Sequence, residues 1–136
     1  MFELELDMTI KLLLAVLLGA MIGYEREMKH RPAGLRTHML VSLGSALFTM
    51  LSLNAFPGSD PARIAAGILV GIGFIGAGTV LQMKEKIIGL TTAASLWVTA
   101  AIGMAAGAGF YIAAIITAVA SFIILWIKEL EKNIRQ

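Results

Sequence analysis

The residues able to do chemistry in this chain are few and grouped. Glu25, Arg26, Glu27, Lys29, His30, Arg31, Arg36 and His38 fall within 14 positions, and Asp60 and Arg63 form a second acid–base pair between two apolar runs. Carboxylates and imidazoles can move protons or hold metals, whereas arginine and threonine at the start of a helix suit phosphate or carboxylate. In RPAGLRTH (31–38), Pro32 suits the second position of a turn and Gly34 its end. Thr37 is then predicted to cap the helix that follows, whose first amides have no intrahelical partner. Arg31 and Arg36 sit beside that positive helix end, which opposes them unless a carboxylate or another anion joins. Glu25 and Glu27 are the nearest internal candidates. One reading is that these cations snorkel and anchor the chain, with Glu25 paired to an arginine. The other is an anion site made of Arg31, Arg36, Thr37, Thr91 and Thr92, which a lipid headgroup would satisfy as well as a soluble ligand.

The remaining candidates point away from catalysis. Asp60 is expected to cap a helix and pair with Arg63, with a ligand or partner contact as the alternative. His30 and His38 have no second ligand at helical spacing and are predicted to be solvated or hydrogen-bonded. There is no cysteine, and no nucleophile and base are spaced for hydrolysis. No phosphate-binding loop or aspartyl-phosphate motif supplies energy for transport, so the chain is expected to be non-enzymatic and without a cofactor. Magnesium is normally held by one or two carboxylates with retained water. Glu25 and Asp60 belong to opposite faces of the membrane, so magnesium has no ligand cluster here and a dedicated transporter is disfavoured. In GIGFIGAG (71–78), Gly71, Gly73 and Gly76 match GxGxxG formally, yet they lie within an apolar helix and not after a strand. With Gly67 and Gly78 they are read as a small-residue face that lets helices approach inside the bundle, or at a homodimer seam. Clustered glycine could also unwind a helix to expose carbonyls.

The elements that must position these residues are transmembrane helices. The chain of 136 residues is 58% hydrophobic and only 15% charged, against about 25% charged in soluble domains. Mean hydropathy is +0.84. The net charge of +2 reflects orientation and not nucleic-acid binding, since no aromatic-rich basic face accompanies it. The chain is predicted to be a single all-α membrane domain over 1–136, with spans at about 8–24, 37–56, 64–83, 91–106 and 109–127. The charge-free stretch 91–127 is too long for one crossing of about 20 residues, and Ala106-Gly107-Ala108-Gly109 is the predicted turn within it. Arg26, Lys29, Arg31, Arg36, Lys84, Lys86, Lys128, Lys132 and Arg135 fall on one side, against Lys11 and Arg63 on the other. The positive-inside rule then puts the N-terminus outside and the C-terminus in the cytoplasm. The acidic start, without a cleavage signal, makes the first run a retained span. Ionisable residues are missing from the middle of every predicted span, where a transport pathway should show them.

Offsetting the chain by 55 residues aligns Leu14, Gly23, Met28, Lys29, Gly34, Leu35 and Thr37 with identical residues over 24 ungapped positions. This suggests a parallel repeat of spans 1–2 and 3–4, with coincidence among Gly- and Leu-rich helices as the alternative. In a true repeat, the two Gly-Leu-x-Thr turns face each other at one end of the bundle.

GAMIGYEREMKHRPAGLRTHMLVSLGSALF (19–48), DPARIAAGILVGIGFIGAGTVL (60–81) and GLTTAASLWVTAAIGMAAGAGFY (89–111) resemble the membrane domain of the MgtC/SapB family over nearly the whole chain. The resemblance implies a bacterial inner-membrane protein associated with magnesium transport and low-magnesium adaptation. It further implies a regulator that binds other membrane proteins, including the ATP synthase. Many members continue into a soluble C-terminal domain, which this chain is expected to lack. The function expected is therefore regulation of membrane proteins or ion homeostasis by a homodimeric, multi-pass protein. A passive ion channel or carrier and an anionic-lipid or small-anion sensor are the alternatives.

Overall fold

The computed structural model describes residues 2–83 and 86–134, with side chains for residues 3–81 and 87–127. It is all-helical apart from one short hairpin: α1 (Phe2–Met28), α2 (Leu35–Asn54), α3 (Ala62–Ala77), β1 (Leu81–Met83), β2 (Lys86–Ile88), α4 (Leu90–Gly107) and α5 (Tyr111–Ile134). Among the described residues, two helices are long and apolar enough to cross a membrane, Glu3–Met28 and Leu90–Gly107. α3 and the apolar part of α5, Tyr111–Ile127, are shorter. Large apolar side chains cover much of the outside, Phe74 at 83% and Val70 at 77% exposure among them, as expected of a surface solvated by lipid and not water. Of the cations used to orient the chain, Lys84 and Arg135 lie outside the described residues, as do the side chains of Lys86, Lys128 and Lys132.

The core is a tight sandwich of α1, α2 and α4. Its centre is built from Ala15, Leu18, Ile22, Ala46, Ile102 and Ala106, to which α5 adds Ala114 and Ala118. Small residues set the spacing. A Cβ placed on Gly19 would lie 2.7 Å from the carbonyl oxygen of His38 and 2.8 Å from the Ser42 Cβ, and one on Gly23 would lie 2.7 Å from the Leu35 Cα. On the other side of α2, Gly103 and Gly107 of α4 meet the backbone of Ser42 and Ala46 just as closely. α2 is thus held between two glycine faces, antiparallel to α1 and parallel to α4.

Chain reversals follow from local chemistry. α1 ends in a Schellman motif: His30 takes φ +51, its amide reaches the Glu27 carbonyl at 3.0 Å, and the Arg31 amide reaches that of Arg26 at 3.0 Å. The same pattern closes α4, where Gly109 takes φ +85 within the predicted 106–109 turn. Gly34 and Gly89, which the 55-residue offset aligns, are the N-caps of α2 and α4. Two expectations need correction. Helical structure in the third segment stops at Ala77, and Leu81–Met83 instead pairs antiparallel with Lys86–Ile88, Leu81 opposite Ile88. The α3 glycines also do not pack inside the bundle as expected: a Cβ on Gly67, Gly71 or Gly73 would meet nothing within 4 Å, and Gly78 meets only carbonyls of its own helix. Only Gly76 faces a neighbour, Ala93 of α4 at 3.5 Å. The reason is that α3 leans on α4 at one end and splays from α2 along most of its length.

Candidate functional site: a buried polar cluster

Two polar stripes face each other where α2 and α4 run side by side. His38, Ser42 and Ser45 lie at helical spacing on α2, and Thr92, Ser95 and Thr99 do so on α4; all six are buried. The end of α1 adds Glu25 and Arg26, at 3% and 4% exposure. Arg26 Nη2 donates to Thr92 Oγ1 at 3.1 Å, linking α1 to α4. The His38 ring bridges α2 and α4, with Nδ1 2.9 Å from the Gly34 carbonyl and Nε2 3.1 Å from Ser95 Oγ. Because a carbonyl only accepts, Nδ1 carries a proton. Ser95 Oγ also lies 2.8 Å from the Thr92 carbonyl. Its one hydroxyl proton cannot serve both Thr92 and a neutral His38 Nε2, so the protonation of His38 decides which way Ser95 points.

The acid–base balance is local. Glu25 Oε1 lies 2.7 Å from Lys29 Nζ, one helical turn on. Glu25 Oε2 lies 3.7 Å from Arg26 Nη1, an ion pair too long for a hydrogen bond. Glu25 Oε2, Arg26 Nε and Ser42 Oγ are buried without a hydrogen-bond partner among the described residues. Leaving such atoms unpaired costs on the order of 1–3 kcal/mol each, so the cluster has unused capacity to bind. No group of three or more His, Cys, Asp or Glu among the described residues could hold a metal ion.

At the mouth of the cluster, Glu27 Oε2 accepts from the Leu35 amide at 2.9 Å and caps α2. A Cβ on Gly34 would collide with that carboxylate, so the glycine is required by the cap. At the far end of the bundle Asp7 bonds Lys11 at 2.6 Å and accepts from Tyr111 Oη at 3.0 Å, tying α1 to α5.

Residues 12–133 match the sequence profile of the MgtC family. The chain belongs to the MgtC family. It is 46% identical over 127 residues to YhiD of Escherichia coli K12, a protein provisionally named a magnesium transporter, covering 88% of this chain and 59% of YhiD. Protein SapB of Bacillus subtilis 168 is 45% identical over 114 residues, 77% of this chain and 49% of SapB. Protein MgtC of Brucella abortus 2308 is 50% identical over 95 residues, 70% of this chain and 40% of that protein. The chain thus spans roughly half the length of the curated relatives it matches. No solved structure matches it significantly.

In this MgtC-family fold, Glu25, Arg26, His38 and Thr92 come together as one buried site. Arg31, Arg36 and Thr91 do not join it: all three are exposed, and Thr37 is half-buried. The expected anion site therefore does not form as drawn. Glu27 already takes the first α2 amide, that of Leu35, as the internal carboxylate, and Arg26 takes the Thr92 hydroxyl. Thr37 is likewise not the helix cap, since Gly34 holds that position without a side-chain bond of its own. Asp60 does cap, its Oδ1 accepting from the Ala62 amide at 2.9 Å, but it makes no ion pair with Arg63. Ser42 and Ser95 were missed as site residues, although their spacing from His38 and Thr92 on one helical face was present in the sequence.

Proposed function

We propose that the chain is a non-enzymatic, multi-pass protein of the bacterial inner membrane that regulates other membrane proteins in magnesium or wider ion homeostasis. Its partners in this reading are those proteins and a second copy of itself. In this reading there are five spans, with the N-terminus outside and the C-terminus in the cytoplasm, supported by the five helices and the placement of lysine and arginine.

One observation carries the regulatory reading over a conducting one. Beyond the polar cluster lies a layer of Ala46, Ile102 and Ala106, each wholly buried, with Gly107 pressed against the Ala46 backbone. A hydrated cation entering at Glu25 meets close-packed alkyl groups within about three helical turns, and magnesium sheds its water reluctantly. A passive pathway remains the second reading because Glu25 Oε2 and Ser42 Oγ have no hydrogen-bond partner among the described residues. The test is magnesium entry into sealed liposomes holding the purified protein and a trapped magnesium-sensitive dye, under an imposed gradient. Entry no faster than in empty liposomes is expected; faster entry that disappears in Glu25→Gln overturns the proposal.

A further inference from the structure

The splay of α3 leaves a groove of about 880 Å³ between Leu40–Leu51 on α2 and Arg63–Ile75 on α3. Ser52 Oγ donates to the Pro61 carbonyl at 2.9 Å, pinning the two helices at the Arg63 end. The groove's floor is smooth, because Gly44, Gly67 and Gly71 present no side chain and nothing else fills their place. Its walls are apolar, Phe48 and Ile75 among them, and Arg63 is the single charged residue in the lining. The Arg63 guanidinium makes no hydrogen bond or ion pair with any described residue, and the neighbouring Asp60 carboxylate is turned onto the Ala62 amide.

From these features we infer that the groove binds one anionic phospholipid, with an acyl chain along the glycine floor and the phosphate on Arg63. Arginine matches a phosphate in charge and fork geometry. Length decides against a second copy. Twelve residues from Arg63 to Ile75 rise about 18 Å at 1.5 Å per residue. That is close to one leaflet of hydrocarbon, about 15 Å, and little more than half of the roughly 30 Å a spanning helix needs. A slot one leaflet deep with a cation at its mouth has the dimensions and polarity of a single lipid. The inference rests on the membrane reading of the chain but not on whether it conducts.

The test reconstitutes the protein into vesicles of equal parts dioleoyl phosphatidylglycerol and dioleoyl phosphatidylcholine, extracts it in mild detergent, and weighs the intact complex by native mass spectrometry. One phosphatidylglycerol per chain is expected in preference to phosphatidylcholine. Arg63→Gln should cut its retention about tenfold, the loss of one charge-assisted hydrogen bond, and leave phosphatidylcholine unchanged. Gly67→Leu with Gly71→Leu should fill the floor and abolish retention of both lipids. Neither change touches a packed contact, so helical circular dichroism should match the parent. Equal retention of phosphatidylglycerol by parent and variants, or no retention at all, overturns the inference. So does a lipid-free two-chain species that Gly67→Leu dissociates, which would make the occupant a second copy. Flux into liposomes is read separately, so failure of one idea leaves the other standing.

Discussion

Replacing Gly19 by alanine should destabilise this protein, whereas the same change at Gly71 should stabilise it. At Gly19 the new Cβ falls 0.7 Å short of the 3.4 Å at which ordinary contact begins with the His38 carbonyl, and 0.6 Å short at the Ser42 Cβ. Both obstacles belong to α2, one of them backbone, so neither can rotate away. The helices must separate by several tenths of an ångström along the seam that carries the polar cluster. Overpacking of this kind costs about 1–3 kcal/mol, and alanine returns up to about 1 kcal/mol of helix propensity. The net loss of about 1–2 kcal/mol corresponds to a fall in Tm of about 3–6 °C for a chain of this length. At Gly71 nothing lies within 4 Å of the new Cβ, so only the propensity acts and Tm should rise by about 2–3 °C. Thermal unfolding of both variants in one detergent, followed by helical circular dichroism, makes the comparison. Shifts of the same sign, or no loss at Gly19, would refute the claim that α1 and α2 are spaced by glycine while α3 stands clear.

Two further outcomes bear on the buried cluster. Arg26→Met should cost about 1–3 kcal/mol because it removes the buried hydrogen bond to Thr92 and the longer ion pair of Glu25, whose Lys29 partner remains; adding Glu25→Gln should recover part of the loss, measurable as a double-mutant cycle of unfolding free energies. Glu27→Ala should cost about 1 kcal/mol by removing the acceptor at the Leu35 amide, with Glu27→Gln losing less because its side-chain carbonyl can still accept, and paired thermal melts would show the ordering.

The sequence is most informative where physics is local. Long uncharged runs locate the helices, and the glycines at 34, 89 and 109 mark where they start or turn. The segment 64–83 was less legible because composition registers apolar length and not where hydrogen bonding changes partner: Thr79 bonds back to Gly76 at 2.7 Å, and Leu81 then pairs across a hairpin instead of continuing the helix. The site was half legible. Glu25, Arg26, His38 and Thr92 stand out as costly residues near an apolar run, but which arginine reaches Thr92 depends on how far α1 extends before its Schellman turn. Arg31 and Arg36 stand closer to the turn in sequence, yet Arg26 is on the buried face. The α3 glycines mislead for a related reason. A small-residue stripe records that close approach is sterically possible, and only the angle between α2 and α3 decides whether a helix makes it.

The bond from Tyr111 to Asp7 joins residues 104 positions apart, and the same two helices share the Ala15, Ala114 and Ala118 contacts of the core. During synthesis, α1 is therefore made long before the helix that covers one of its faces exists. Until α5 arrives, that alanine face is open to any helix that passes, and the α1–α5 contact waits on an element made about a hundred residues later. Non-local closure of this sort slows folding relative to neighbour-by-neighbour packing. An insertion factor or chaperone that shields α1 in the interval would act on this face.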